Sequence, residues 1–373
     1  MKRIIAFVIA LTMMIVLVSC GNTGDRGEKL TIGISVPGNS LERFNRDAQY
    51  LKSQFEAAGY KVDLRFVDDD NEQQNKDIQE MISKGVNMLI ILAVNSNGLS
   101  KTLEEAKSKN IPVVAYDRFI NNSDAVTVFV SFDNYAVGTL QGNYIKNALD
   151  LDNADGPFNI EFTAGNPGDT NAKYYYQGAI DVLQPYIDSG KLVIPSAQKS
   201  FEQVATDQWS TEEARSRFEN ILDTFYDDKT VLNAVVCSND STALGVTQAI
   251  AAKYKGDNAP IVTGQDGDVA NLRNIVDGIQ AMTVYKNVSE EAKVALEVSR
   301  AILEKKTIDS RLVESLSVKT IYDTKTYSNG KEGVSSYLLV PIAIASDNLD
   351  ALVETGLYKW DSNHKYLDAV EVK

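Results

Sequence analysis

At 373 residues with 44% hydrophobic content, the chain carries more apolar material than one core usually absorbs, so two lobes are the default expectation. Its formal charge of −14 argues against a nucleic-acid partner, because neutralising phosphates needs a concentrated Lys/Arg surface. The single histidine, His364, lies in a polar stretch near the C-terminus, which removes His-based triads, His-rich zinc sites and most general-base schemes.

At the N-terminus Lys2 and Arg3 precede an apolar stretch from Ile4 to Val18, the layout of a secretory signal and short for a membrane span. Leu17-Val18-Ser19-Cys20 resembles a bacterial lipobox, which makes Cys20 the lipidation site, with an ordinary residue in a simple membrane anchor as the alternative. Residues 1–19 are then a lipoprotein signal peptide and residues 20–28 a polar, Gly-rich tether. With Cys20 acylated only Cys237 remains, so no intramolecular disulfide is expected, and Cys237 sits in an apolar run as inert core.

From Lys29 onward β-rich runs alternate with amphipathic stretches, the signature of βαβ units. Strands are predicted at Leu30–Val36, Val62–Val67, Met88–Val94, Ile111–Tyr116 and Val126–Phe132. Helices fall between the first four: Leu41–Ala58, capped by Asn39 and Ser40 and stopped at Gly59; Gln73–Lys84, stopped at Gly85; and Leu99–Lys109. Asp68, Asp69 and Asp70 suggest a metal or, better, acids placed at a helix N-terminus. A second set has strands Phe158–Thr163, Leu192–Pro195, Ala234–Cys237, Ile261–Thr263 and Ala281–Tyr285. Its helices are Tyr135–Leu149, Ala172–Ile187, Thr211–Tyr226, Thr242–Tyr254 and Val269–Val276. The tail adds a helix Ser289–Lys305, a polar segment at Tyr327–Gly333, an extended run Tyr337–Ile344 and a last helix near Leu349.

The layout fits one large doubly wound sheet or two lobes with a cleft. Because the tail after Lys286 is too small for a third domain, its elements must complete the existing ones, which favours two lobes. Chain crossings then fall near Phe132–Tyr135, Val284–Asn287 and Leu339–Ile342. The expected organisation is α/β: two doubly wound parallel-sheet lobes joined by a three-crossing hinge. Residues 29–133 plus 287–339 form the N-terminal lobe, and residues 134–286 plus 340–373 the C-terminal lobe.

Four predicted strands end in polar clusters: Asp117-Arg118, Asn239-Asp240, Gln265-Asp266 and Lys286. In open α/β sheets such strand ends share one rim and converge on a crevice. No Gly-x-x-x-x-Gly-Lys-Ser/Thr loop and no Gly-x-Gly-x-x-Gly turn after the first strand is present, so phosphate cradling and dinucleotide binding lack their glycines. Asp117 with Asp266 could form the carboxylate pair of an envelope glycosidase, but their basic and amide neighbours favour hydrogen bonding over proton transfer. What remains is a reader of neutral polyols: Asp, Asn and Arg bridge vicinal hydroxyls, and flat aromatics stack on C–H faces. Arg43, Phe44, Asn171 and Trp209 join the strand-end residues as candidates. Asp240, followed by Ser241 and Thr242 before a helix, reads as a cap or a residue supporting the contacts from behind, and Asn239 as the better contact.

Read in order, Leu41-Glu42-Arg43-Phe44, Ala115-Tyr116-Asp117-Arg118, Ser131-Phe132-Asp133-Asn134, Gly156 to Glu161, Asp169-Thr170-Asn171-Ala172, Ser238-Asn239-Asp240, Gly264-Gln265-Asp266 and Thr283-Val284-Tyr285-Lys286 resemble the type I periplasmic sugar-binding proteins of ABC importers. The branch is that of D-xylose-binding and multiple-monosaccharide-binding members, and the resemblance covers nearly the whole mature chain. It implies the type I periplasmic-binding-protein fold. It further implies that Arg43, Asp117, Arg118, Asn171, Asn239, Asp266 and Lys286 hydrogen-bond a monosaccharide of the xylose, glucose, galactose or arabinose class while Phe44 and Trp209 stack on it. Phe44 stands where relatives often have Trp, and Tyr327–Tyr337 is closer to the multiple-sugar branch. The resemblance implies no catalysis and no cofactor, a monomer in the cell envelope tethered to the membrane by Cys20, and an ABC permease as partner. A sensory role toward a chemoreceptor or kinase is the alternative.

Overall fold

The computed structural model describes residues 29–38 and 41–371. The signal, the lipobox Cys20, the tether and the expected caps Asn39 and Ser40 lie outside the described residues. No described helix is long and apolar enough to cross a membrane.

The chain opens with β1 (Thr31–Val36), α1 (Glu42–Ala57), β2 (Lys61–Phe66), α2 (Asn71–Ser83), β3 (Met88–Ile91), α3 (Ser100–Ser108), β4 (Val113–Tyr116) and β5 (Val126–Phe132). Each of the short strands β3 and β4 is buried along its whole length, as expected of parallel strands covered on both faces. Along α1 the buried Phe44, Ala48, Leu51 and Phe55 recur at helical spacing and pack on Ile32, Ile34, Ile90 and Val114 of the sheet. Asp70 caps α2 by accepting from the Glu72 and Gln73 amides, so the acidic run opens a helix.

The second half comprises α4 (Asn134–Ala148), β6 (Phe158–Thr163), α5 (Thr170–Asp188), β7 (Leu192–Val193), α6 (Phe201–Val204), α7 (Thr211–Phe225), β8 (Ala234–Cys237), α8 (Asp240–Lys253), β9 (Ile261–Val262), α9 (Val269–Val276) and β10 (Met282–Tyr285). The tail supplies α10 (Val288–Leu303), β11 (Thr320–Asp323), β12 (Ser336–Leu339), β13 (Ile342–Ala345), α11 (Asp350–Glu354), β14 (Tyr358–Trp360) and β15 (Leu367–Ala369).

Two sheets result. The first runs β11-β12-β5-β4-β3-β1-β2 and is parallel except for the β11–β12 pair. The second runs β7-β6-β8-β9, all parallel, and continues through a bridge from Gln265 to Val284 into β10, which pairs antiparallel with β13. The chain passes between them three times. β5 ends at Phe132 before α4, whose Asp133 cap accepts from the Ala136 amide. β10 ends at Tyr285 before α10, whose Asn287 cap accepts from Glu290. The third passage divides the run read from sequence as one extended segment: β12 belongs to the first sheet and β13 to the second, with Val340 and Pro341 between them. Pro341 has no N–H to give a ladder, so the run breaks there.

In the second half, α4 and α5 meet through reciprocal glycines. A Cβ on Gly138 would sit 1.9 Å from the Tyr175 carbonyl oxygen, and one on Gly178 would sit 2.1 Å from that of Tyr135. This close approach fixes α5, whose first turns face the crevice. Sequence reading passed over β11 and the β14–β15 hairpin, the latter packed through Tyr358 and Leu367 against Leu272, Tyr285 and Ile344.

Candidate functional site

A cavity opens where the carboxyl ends of the two sheets face each other. It is lined by Leu41, Arg43, Phe44, Asp117, Arg118, Asp169, Tyr175, Trp209, Asn239, Gln265, Asp266 and Lys286. Eight of the nine residues singled out in the sequence meet there.

Asp117 follows β4 and Asp266 follows β9, and both take positive φ, 54° and 105°. For a side chain with a Cβ this conformation is costly, so the surrounding structure must enforce it. At Asp117 the amide donates to the Val130 carbonyl, while its carbonyl accepts from Ser131 Oγ and Asn171 Nδ2. The Asp266 amide donates to the Val284 carbonyl. Two carboxylates, one from each sheet, are thereby aimed at a common centre.

That centre is Arg43, only 3% exposed. Its Nη1 donates to Asp266 at 3.0 Å, its Nη2 to Asp117 at 2.8 Å and Glu291 at 2.9 Å, and its Nε to Asp47 at 2.8 Å. Lys286 Nζ lies 3.5 Å from both Asp117 and Asp266 and donates to Tyr175 Oη at 3.1 Å. Arg118 pairs with Asp169 at 2.8 Å, donates to the Ala93 and Val94 carbonyls, and lays its guanidinium 4.8 Å from the Phe44 ring centroid. Every cation in the cavity therefore lies against a protein carboxylate, with Arg43 and Lys286 sharing Asp117 and Asp266.

The carboxyls differ in their ionisation. Burial pushes Asp117 up, but Lys286, Arg43 and Arg118 together outweigh it and hold the group at about 2. Burial dominates at Asp47, raised to about 6, and at Glu291, raised well above the ordinary range. Asp169 is likewise raised by burial. For Lys286, burial and Arg43 lower the pKa, yet Asp117, Tyr175 and Asp266 leave it above that of an ordinary ammonium. The Tyr175 hydroxyl is raised by burial and stays protonated.

Trp209 packs where only glycine is tolerated opposite it: a Cβ on Gly165 would come within 1.9 Å of the indole. Its ring centroid lies 6.2 Å from that of Tyr175.

Two expectations change. Asn171 is fully buried beneath the cavity instead of lining it. Its Nδ2 donates to the Asp117 carbonyl at 2.7 Å and its Oδ1 accepts from Asn134 at 3.0 Å, so the amide supports Asp117's backbone. The cap of α8 also falls to Asn239 rather than Asp240. Asn239 is the N-cap of α8, accepting from the Thr242 amide, while still lining the cavity. Asp240 is fully buried, raised well above the ordinary carboxyl range by burial, and accepts from Gln280, Thr283 and the Asp268 amide, which braces the turn carrying Asp266.

Sequence reasoning missed Tyr175, Asp169 and Leu41 among the lining residues, and Asp47 and Glu291 behind Arg43. Tyr175 stands four residues after Asn171 on α5, and Asp47 four after Arg43 on α1, a spacing that puts each on its neighbour's face. Glu291 carries no such signal, since only the fold brings α10 to α1. Gln265 was seen as a strand-end residue, but nothing in the sequence marks its buried and unpaired Oε1.

The periplasmic binding protein domain matches residues 32–307. The multiple sugar-binding periplasmic receptor ChvE of Rhizobium radiobacter is 38% identical over 97% of this chain and 99% of its own length. The D-xylose-binding periplasmic protein of Escherichia coli is 33% identical over 91% and 94%. Among solved structures, an ABC transporter solute-binding protein from Clostridium phytofermentans with bound β-D-glucose superposes with a TM-score of 0.83 at 44% identity, covering 90% of this chain and 99% of that one.

Proposed function

This chain belongs to the periplasmic binding protein family, and from that premise we propose that it captures a neutral monosaccharide between its two lobes and hands it to an ABC permease. The observation that carries the reading is the pairing of every cavity cation with a carboxylate: Arg43 with Asp117 and Asp266, Lys286 between the same two, and Arg118 with Asp169. An anionic or cationic ligand would need an unpaired opposite charge. A sugar hydroxyl instead donates to a carboxylate and accepts from a cation at once, so an internally balanced array suits vicinal hydroxyls. Phe44 and Trp209 supply apolar surface for the ring.

The ligand class is an aldose such as xylose, glucose, galactose or arabinose. Arg43, Asp117, Arg118, Asn239, Asp266 and Lys286 are the polar contacts, with Gln265 and Tyr175 added to them. Residues 133, 286–287 and 340–341 form the hinge, and closure brings Asp117 and Asp266 to one ligand, so binding shifts the open–closed balance. Cys20 anchors the protein to the membrane beside its permease.

A glycosidase needs one carboxyl kept protonated as general acid. Asp117, held at about 2, has no proton to give at neutral pH. A thermal-shift screen against free aldoses, run beside product analysis with oligosaccharides, separates the two. The binding reading predicts a stabilising shift with one or more intact monosaccharides and no released product; cleavage without monosaccharide stabilisation overturns it.

A further inference from the structure

Arg46 follows Arg43 by three residues on α1, which places both on the same side of the helix. Arg43 lines the cavity and Arg46 does not, yet Arg46 reaches across to the other half of the molecule. Its Nη2 donates to the Asp266 carbonyl at 2.9 Å and to Asp268 Oδ1 at 3.3 Å, and its Nη1 to Tyr358 Oη at 2.5 Å. Tyr358 in turn donates to the Gly267 carbonyl at 2.7 Å. Arg46 and Tyr358 thus grip three consecutive residues, 266 to 268, the turn that presents Asp266.

That turn requires holding. Asp266 and Gly267 both have positive φ, 105° and 70°. From its own side it is secured by Asp240, which accepts from the Asp268 amide, and by Thr283, which accepts from the Gly267 amide. From the opposite lobe Arg43 holds the Asp266 carboxylate, and Arg46 holds the backbone and flank of the turn. The contacts of Arg46 to Asp266, Asp268 and Tyr358 can form only when the lobes are together.

We propose that Arg46 is a closure latch and a positioning residue: without touching the sugar, it ties the first lobe to the Asp266–Asp268 turn and sets how slowly a bound monosaccharide escapes. The proposal rests on the sugar-capture reading above. A latch made only in the closed state acts on dissociation, whereas encounter with the open form is unaffected.

Stopped-flow binding of D-xylose and D-glucose to wild type, Arg46→Gln, Arg46→Lys, Tyr358→Phe and the Arg46→Gln/Tyr358→Phe pair tests it. Arg46→Gln should raise the dissociation rate roughly tenfold or more while the association rate stays within about threefold. Arg46→Lys should recover part of the loss, and the double variant should be little worse than Arg46→Gln, because both changes open one latch. Wild-type dissociation rates in Arg46→Gln, or fully additive losses, overturn the latch. If Arg46→Gln does not fold, Tyr358→Phe, which removes only the hydroxyl, decides by the same dissociation rate. If wild type binds no monosaccharide, the capture reading fails by itself. The latch is then judged by small-angle scattering, where it requires Arg46→Gln to be more open than wild type and falls if the two profiles coincide.

Discussion

Asp117 and Asp266 bring strained backbone and charge to the same two positions. Their positive φ values, 54° and 105°, are held by strand-end hydrogen bonds, and both carboxylates meet on Arg43. The residue types at the strand ends were legible because polar clusters closing apolar runs stand out in sequence. Their partners were less so: Asn171 reads as a contact from its motif, but its amide is consumed by the Asp117 carbonyl and Asn134. The acids also predict opposite pH responses. Burial raises Asp268 from 3.8 to about 7, so the folded state holds a proton there that the unfolded chain releases. Stability from that group is present below about 4 and is lost as pH rises through 7. Melting temperature of the sugar-saturated protein should therefore gain less on going from pH 8 to pH 5 in Asp268→Asn than in wild type; equal slopes would contradict the assignment. Asp117 runs the other way, since a pKa of about 2 makes its contribution present above about 4 and lost as pH falls toward 2.

At the scale of elements, helices and strands were legible wherever a period or a continuous apolar run was long, as in α1, α5 and β5. Pairing was not. The segment Tyr337–Ile344 gave no sign beyond Pro341 that its two halves serve different sheets, and β11 and β14–β15 are short and depend on partners distant in sequence. Packing between α4 and α5 was likewise invisible, although it places Tyr175 beside Lys286. Gly178→Ala puts a methyl against the Tyr135 carbonyl, and overpacking of this kind costs about 1–3 kcal/mol. Chemical denaturation should show a loss of that size together with weakened monosaccharide binding. Unchanged stability would mean that the two helices are free to separate.

For the whole molecule, the two-sheet plan and its three crossings follow from the tail, which is too short to stand alone and so recrosses to complete both halves. What the sequence could not supply is the charge balance of the crevice, because Glu291 and Asp169 meet Arg43 and Arg118 only through folding. In the proposed reading, that balance suits the crevice to a neutral, hydroxyl-rich ligand, with half of the contacts on each lobe. The most direct measurement is a calorimetric titration of the protein freed of residues 1–20 with D-xylose and D-glucose, in wild type, Asp266→Ala and Arg118→Ala. Wild type should bind at least one of the sugars with one-to-one stoichiometry. Each variant should lose about 2 kcal/mol or more, since a buried charged hydrogen-bond partner is removed. Affinities of both variants within a few-fold of wild type would contradict the site.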